Sequence, residues 1–149
     1  MIQLVVFTLE EQRYALPLAA VDRIVRAVES TPLPQAPPIV LGVLSVEGRV
    51  VPLVDIRKRF RLPERDIGLN DQLILAFTSR RPVALLVDAV SGVLEHPAAD
   101  VVAPEAICPG LEHVEGVVAL NDGIILIHDL DKFLALEETQ ALDAALERV

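Results

Sequence analysis

Between Gly42 and Phe60 the chain reads GVLSVEGRVVPLVDIRKRF. Val43, Leu44 and Val46 climb to the dipeptide Glu47-Gly48, and Val50, Val51, Leu53 and Val54 descend from it. Aliphatic, largely β-branched runs on either side of an X-Gly step specify a β-hairpin: the tight turn wants left-handed backbone, and the runs suit a pleated, half-buried surface. Asp55 stands where an N-cap would open a helical turn over Ile56–Phe60. A lone hairpin is not stable in water, so the rest of the chain must cover this unit with further strands.

It does so in short segments. Residues 3–9 and Arg13–Pro17 read as a first hairpin, Leu18–Asp22 as a helical turn, and Arg23–Val28 as a strand. Pro32, Pro34, Pro37 and Pro38 then make a stiff loop, because proline blocks helix interiors and central strands. Residues 61–71 are a charged connection. Leu73–Phe77 and Val83–Val87 flank an Arg80-Arg81-Pro82 turn, and Val90–Leu94 leads to a proline-broken loop from His96 to Glu112. Gly116–Leu120 and Ile124–Ile127 bracket Asn121-Asp122-Gly123 as a second strong hairpin. Leu142, Ala145, Leu146 and Val149 recur at helical spacing, so the tail is a short amphipathic helix with Glu137 and Glu138 in its first turn.

The segments repeat. Leu4–Thr8 matches Leu73–Thr78, and Ala15-Leu16, Val21 and Ile24-Val25 match Ala84-Leu85, Val90 and Val93-Leu94 at one offset. Gly42-Val43, Asp55-Ile56 and Lys58 match Gly116-Val117, Asp129-Leu130 and Lys132 at another, and Pro32 and Pro37 have counterparts in Pro104 and Pro109. Two similar β units of this size need a shared apolar interface, and short strands with regular turns point to barrels. The core must be aliphatic, since the 149 residues are 52% hydrophobic with 3% aromatic and no Trp.

Charge narrows the partners. A net charge of −9 disfavours nucleic acid and anionic lipid. Arg57, Lys58, Arg59, Arg61 and Arg65 form one basic cluster, expected as a solvated helix face, with a patch meeting an acidic protein surface as the sharper alternative. The apolar runs are too short to span a bilayer, and Met1 leads straight into a strand, so no leader or membrane insertion is expected and the compartment is the cytoplasm.

Catalytic constellations are absent from the pattern. His96, His113 and His128 each neighbour a carboxylate, but sequence neighbours on a strand face opposite ways and no pair has helical metal spacing, so surface or edge histidines are expected. No serine sits in a Gly-x-Ser-x-Gly elbow. Cys108, in a turn-like Ile-Cys-Pro-Gly, reads as a small packed residue, and the dispersed glycines form no phosphate cradle. The expectation is a binding module with no catalytic residues, no metal and no cofactor. A remote alternative is a small barrel hydrolase using His128 with Asp129 or Asp131.

Phe7-Thr8-Leu9, Tyr14-Ala15-Leu16-Pro17-Leu18, Val21 with Ile24-Val25-Arg26, Thr31-Pro32-Leu33-Pro34, Gly42-Val43, Gly48 with Val50-Val51-Pro52-Leu53-Val54-Asp55, Leu86-Val87-Asp88-Ala89-Val90, Gly116, Asp122-Gly123, Asp129-Leu130 and a helix near Leu136-Glu137-Glu138 together resemble the CheW-like chemotaxis coupling proteins, over nearly the whole chain. The Val-Pro-Leu-Val-Asp hairpin is the more specific part. The resemblance implies a mainly β fold of two SH3-like five-stranded barrels on a shared core, here about 10–71 and 72–135, with short helices and a C-terminal amphipathic helix at 136–149, forming one domain over 1–149. It implies a non-enzymatic adaptor that links the cytoplasmic tip of methyl-accepting chemoreceptors to the regulatory domain of the histidine kinase CheA, self-associates in rings and is recruited to membrane receptor arrays. Val21, Arg23, Ile24, Glu47, Ile74 and Leu75 are then expected at the receptor groove. Leu41, Val43, Leu44, Arg49 and Val51 are expected at the kinase-facing end.

One departure stands out. Such proteins usually carry Asn-Leu-Arg-Gly where this chain has Ser45-Val46-Glu47-Gly48, and a glutamate where it has Arg23. Both signs are reversed, which suggests a charge-swapped pair whose value lies in partner choice. A CheW-like module of a divergent, non-flagellar sensory or motility system is the alternative this keeps open.

Overall fold

The computed structural model describes residues 1–63, 65–104 and 113–148. Among the described residues, ten strands precede one α-helix: β1 (Ile2–Leu9), β2 (Gln12–Pro17), β3 (Val21–Arg26), β4 (Val40–Val46), β5 (Arg49–Val54), β6 (Gln72–Phe77), β7 (Pro82–Val87), β8 (Ala89–His96), β9 (Val114–Leu120), β10 (Gly123–His128) and α1 (Leu136–Glu147). The Glu47-Gly48 turn forms as its residues require, with φ of 51° and 80°, the double left-handed step of a type I′ hairpin. The helical turn expected after Asp55 is a run of turns instead. Asp55 Oδ1 accepts from the Arg57 N–H at 3.1 Å. The echo at Asp129 repeats this, its Oδ1 accepting from the Asp131 N–H at 3.0 Å.

The strands form two five-stranded sheets, ordered β3-β6-β7-β5-β4 and β8-β1-β2-β10-β9. The expected division into 10–71 and 72–135 does not follow the sheets. One sheet takes residues 21–87, and the other joins 2–17 to 89–128. The reason is the length of the links. A single residue, Asp88, separates β7 from β8. One residue cannot reverse a strand, so the chain runs on into the other sheet. The repeats β1–β5 and β6–β10 therefore exchange their leading hairpins. Parallel pairings dock them: β7 on β5 (Leu53↔Ala84) and β2 on β10 (Leu126↔Tyr14).

Each sheet then curls until its edges nearly meet. The chain leaving β3 makes one bridge to β4, Thr31↔Val43, with N–H···O distances of 2.9 and 2.7 Å. The chain leaving β8 makes the matching bridge to β9, Val102↔Val117, at 2.9 and 2.8 Å. Gly42 and Gly116, the matched glycines, lie beside these closures. A Cβ on Gly42 would stand 2.5 Å from the Thr31 carbonyl oxygen, and one on Gly116 would stand 2.6 Å from Val101 Cγ1.

Strand alternation sorts the core. Leu44, Val51, Leu53, Leu73, Leu75, Ala84 and Leu86 fill the first sheet, and Leu4, Val6, Ala15, Val118, Ile125 and Ile127 the second. The opposite faces meet between the sheets, where Phe7, Leu9, Tyr14 and Leu16 pack with Ile74, Ala76, Val83 and Leu85. Leu142 and Ala145 of α1 close this shared core. The tail is therefore helical and amphipathic as its spacing predicts. Cys108 and Pro109 lie outside the described residues. Among the described residues, no helix is long and apolar enough to cross a membrane.

Candidate functional site

Arg23 and Glu47 face each other across the mouth of the first sheet. Arg23 follows the irregularity in the β3–β6 register and opposes Leu75, while Glu47 sits on the turn between β4 and β5. Arg23 Nη2 lies 2.8 Å from Glu47 Oε1, and Arg23 Nε lies 3.3 Å from Asp22 Oδ2. The hydrogen bond that Arg23 donates to the Glu47 carboxylate raises the Arg23 pKa. Arg23 and Glu47 thus form an ion pair, and an exposed one. Such pairs add little to stability.

The pair separates two depressions. On one side an open groove of about 480 Å³ runs between β3, β4 and β6, lined by Val25, Val28, Thr31, Val43, Leu44 and Leu75 as well as the pair. On the other lies a hollow of about 50 Å³, lined by Arg49, Val51, Leu75 and Phe77. The groove is bounded by the Thr31↔Val43 bridge and the Arg23–Glu47 ion pair, with leucines of the first sheet's interior in its wall.

The two sets of expected site residues converge here. Arg23, Glu47 and Leu75, expected to face a receptor, share these walls with Val43, Leu44, Arg49 and Val51, expected to face a kinase. Four residues stand apart. Ile74 is wholly buried in the shared core, because it alternates with Leu73 and Leu75. Val21 packs against the same core, and Leu41 against the interior of the first sheet. Ile24 is 38% exposed and alternates with Arg23 and Val25, so it turns away from the groove. Val25, Val28 and Thr31 were not legible as lining residues. Alternation along β3 counted from Arg23 finds Val25, while Val28 and Thr31 follow the strand's end at Arg26 and carry no such signal.

Three members of the basic cluster, Arg57, Arg59 and Arg65, are engaged within the chain, while Arg61 stays exposed. Arg57 is 2% exposed and donates to the carboxylates of Glu10 and Asp88 and, at 3.3 Å, to the Pro63 carbonyl. Arg65 forks onto Asp71 at 2.6 and 2.8 Å and reaches Asp88 at 2.6 Å. Arg59 pairs with Glu138 of α1. Burial works against ionisation of Asp88, but Arg57, Arg65 and the Glu10 N–H at 2.7 Å hold it below the usual carboxylate range. Asp71 is held down in the same way, burial opposing and Arg65 prevailing.

His96 and His113 take the surface or edge placement expected, and His128 does not. His113 is half-buried, with Nδ1 3.0 Å from the Lys132 carbonyl oxygen. His96 is half-buried at the end of β8. His128 is wholly buried, and neither ring nitrogen has a hydrogen-bond partner. It cannot meet a substrate in this fold. Asp129 and Asp131 spend their oxygens on the Asp131 and Ser79 N–H groups. The hydrolase arrangement does not form.

A family model described as a CheW-like domain matches residues 3–138. The chemotaxis protein CheW of Rhizobium meliloti (strain 1021) is 32% identical over 141 residues, covering 93% of this chain and 91% of the relative. Protein FrzA of Myxococcus xanthus is 30% identical over 139 residues, covering 91% and 87%. The crystal structure of scaffolding protein TtCheW from Thermoanaerobacter tengcongensis superposes with a TM-score of 0.83 at 26% identity, covering 91% of this chain and 94% of that one.

Proposed function

Since this chain belongs to the CheW-like family, we propose that it is a non-catalytic cytoplasmic adaptor that couples methyl-accepting chemoreceptors to a CheA-type histidine kinase. The observation that carries the reading is the match, over more than nine tenths of the chain, in sequence and in fold to chemotaxis and scaffolding proteins. The groove fits it. Apolar walls with a charged pair at the rim suit a protein surface better than a small polar molecule. The test is capture of the purified chain by the regulatory domain of CheA from the same cell, with and without receptor cytoplasmic tips. Binding that strengthens with receptor supports the reading. No binding to any CheA regulatory domain sinks it.

The exposed Arg23–Glu47 pair favours a partner outside the ordinary flagellar set, and this is the second reading. Reversed charges attract one partner and repel another, so they act on specificity rather than fold. Arg23→Glu and Glu47→Arg are each expected to weaken partner binding about tenfold, and the double change to restore it within about threefold. Titration calorimetry reads all four affinities. Equal impairment of both singles and the double would show that the pair has no role in recognition.

A further inference from the structure

The segment from Asp129 to Arg148 is held on the two sheets in two ways. Leu130, Phe133, Leu142 and Ala145 enter the shared core. His113 holds the start of the segment, its carbonyl accepting the Asp129 N–H at 2.8 Å and its Nδ1 3.0 Å from the Lys132 carbonyl oxygen, and three further ties put a carboxylate on the segment and a donor on the body. Asp131 accepts from the Ser79 N–H at 2.7 Å, Glu138 takes Arg59, and Asp143 takes Arg81 and, at 3.1 Å, Arg80. At the root of the segment stands His128, the last residue of β10.

Its ring lies 5.3 Å from that of Phe60, on the body, and 6.0 Å from that of Phe133, on the segment. Neither nitrogen is hydrogen-bonded, and the Nε of Arg59 is likewise buried without a partner. The charged and titratable groups around it are Arg59, from the turn after β5, and His113, ahead of β9, both of which oppose a positive imidazole. The nearby carboxylates are engaged elsewhere. Asp129 serves its own loop, with Lys132 Nζ at 4.0 Å, and Glu138 is taken by Arg59. A proton arriving on His128 would meet aromatic rings and positive charge.

We infer that His128 is a proton-sensitive latch, and that protonating its imidazole releases the Asp129–Arg148 segment from the sheets. The segment is the side that yields. β10 is held by ladders to both β2 and β9, whereas α1 pairs with no strand and, among the described residues, buries only Leu142 and Ala145 completely. Burial, with His113 and Arg59 adding to it, pushes the imidazole down to about 3 from its ordinary 6.5. The folded value lies below the released one, so docking is favoured fully above about pH 6.5 and loses ground as pH falls toward 3.

Amide hydrogen exchange of the whole protein at pH 7.5 and 5.0, corrected for intrinsic rates, tests this. Asp71 and Asp88 stay charged over that range. Linkage between the two imidazole values raises the opening constant about 30-fold at pH 5.0. The α1 amides from Leu142 to Leu146 are expected to lose about that much protection and to exchange ahead of β6 and β7. In His128→Phe, which keeps an aromatic ring and removes the titration, α1 protection should change less than about threefold. Equal loss in His128→Phe, or α1 exchanging together with β6 and β7 in the unmodified chain, overturns the latch. Should the variant not fold, the His128 imidazole resonances of the unmodified protein decide. They are expected to stay unchanged down to pH 5.0, and a midpoint near 6.5 with α1 still docked overturns the proposal.

Discussion

Replacing Arg57 by methionine is expected to lower the unfolding free energy by about 3 kcal/mol, read as a fall in the urea midpoint at constant m. Arg57 is among the largest fully buried side chains of the described residues, yet it is charged. Burial alone would lower its pKa, and the hydrogen bonds with Glu10 and Asp88 more than offset this. The residue ties the β1–β2 turn, through Glu10, and the β7–β8 crossing, through Asp88, to the loop after β5. It therefore holds the second sheet to the first at the point where the chain passes between them. Methionine fills much of the volume, so the loss is chiefly electrostatic. The figure sits at the low end for removing one member of a buried pair, because Glu10 is 46% exposed and Asp88 keeps Arg65. Arg57→Lys should recover less than half of it, since one ammonium cannot span two carboxylates. A methionine variant within 1 kcal/mol of the parent would show that the network contributes no stability.

Gly42→Ala is expected to destabilise by about 3 kcal/mol and Gly116→Ala by about 1. The asymmetry follows from what each new methyl would meet. At Gly42 it meets the Thr31 carbonyl oxygen at 2.5 Å as well as Ser30 Oγ, and the backbone of the closing bridge must move. At Gly116 it meets a valine methyl at 2.6 Å and the Val102 oxygen only at 3.8 Å, so a side-chain rotation relieves it. Gly42→Ala should also loosen the groove wall at Val43, and so weaken partner binding more than its stability loss at 25 °C explains. Parallel urea melts rank the two variants. The reverse order would place the tighter closure in the second sheet.

Much of this was legible in residues. Glu47-Gly48 between aliphatic runs specifies a hairpin whatever surrounds it, because the backbone angles are local. The i, i+3, i+4 spacing of Leu142, Ala145 and Leu146 specifies the tail helix for the same reason. The echo of Gly42-Val43 in Gly116-Val117 was visible as a pattern, and its cause emerged as two closing bridges. The Arg23–Glu47 pair was suggested by opposite signs at two positions. Its length and its place between two hollows depend on how β3 and the β4–β5 turn approach in space.

What stayed hidden were matters of facing and long-range pairing. A run of arginines after Asp55 reads as surface, because arginine is rarely buried unless paired. The pairs of Arg57 lie at Glu10 and Asp88, far off in sequence. His128 next to Asp129 looks like an edge residue until β10 is seen to sit between β2 and β9.

By itself, then, the sequence determined the strands, the turns, the terminal helix, the aliphatic core and the duplication, since each rests on local backbone preference or on side-chain period. Only the tertiary structure decided that the repeats exchange hairpins, which arginines turn inward, that Ile74 is core while Leu75 lines the groove, and that a buried histidine lies beneath the C-terminal segment. Those outcomes depend on strand register and on parallel pairings between distant segments, which no local preference encodes.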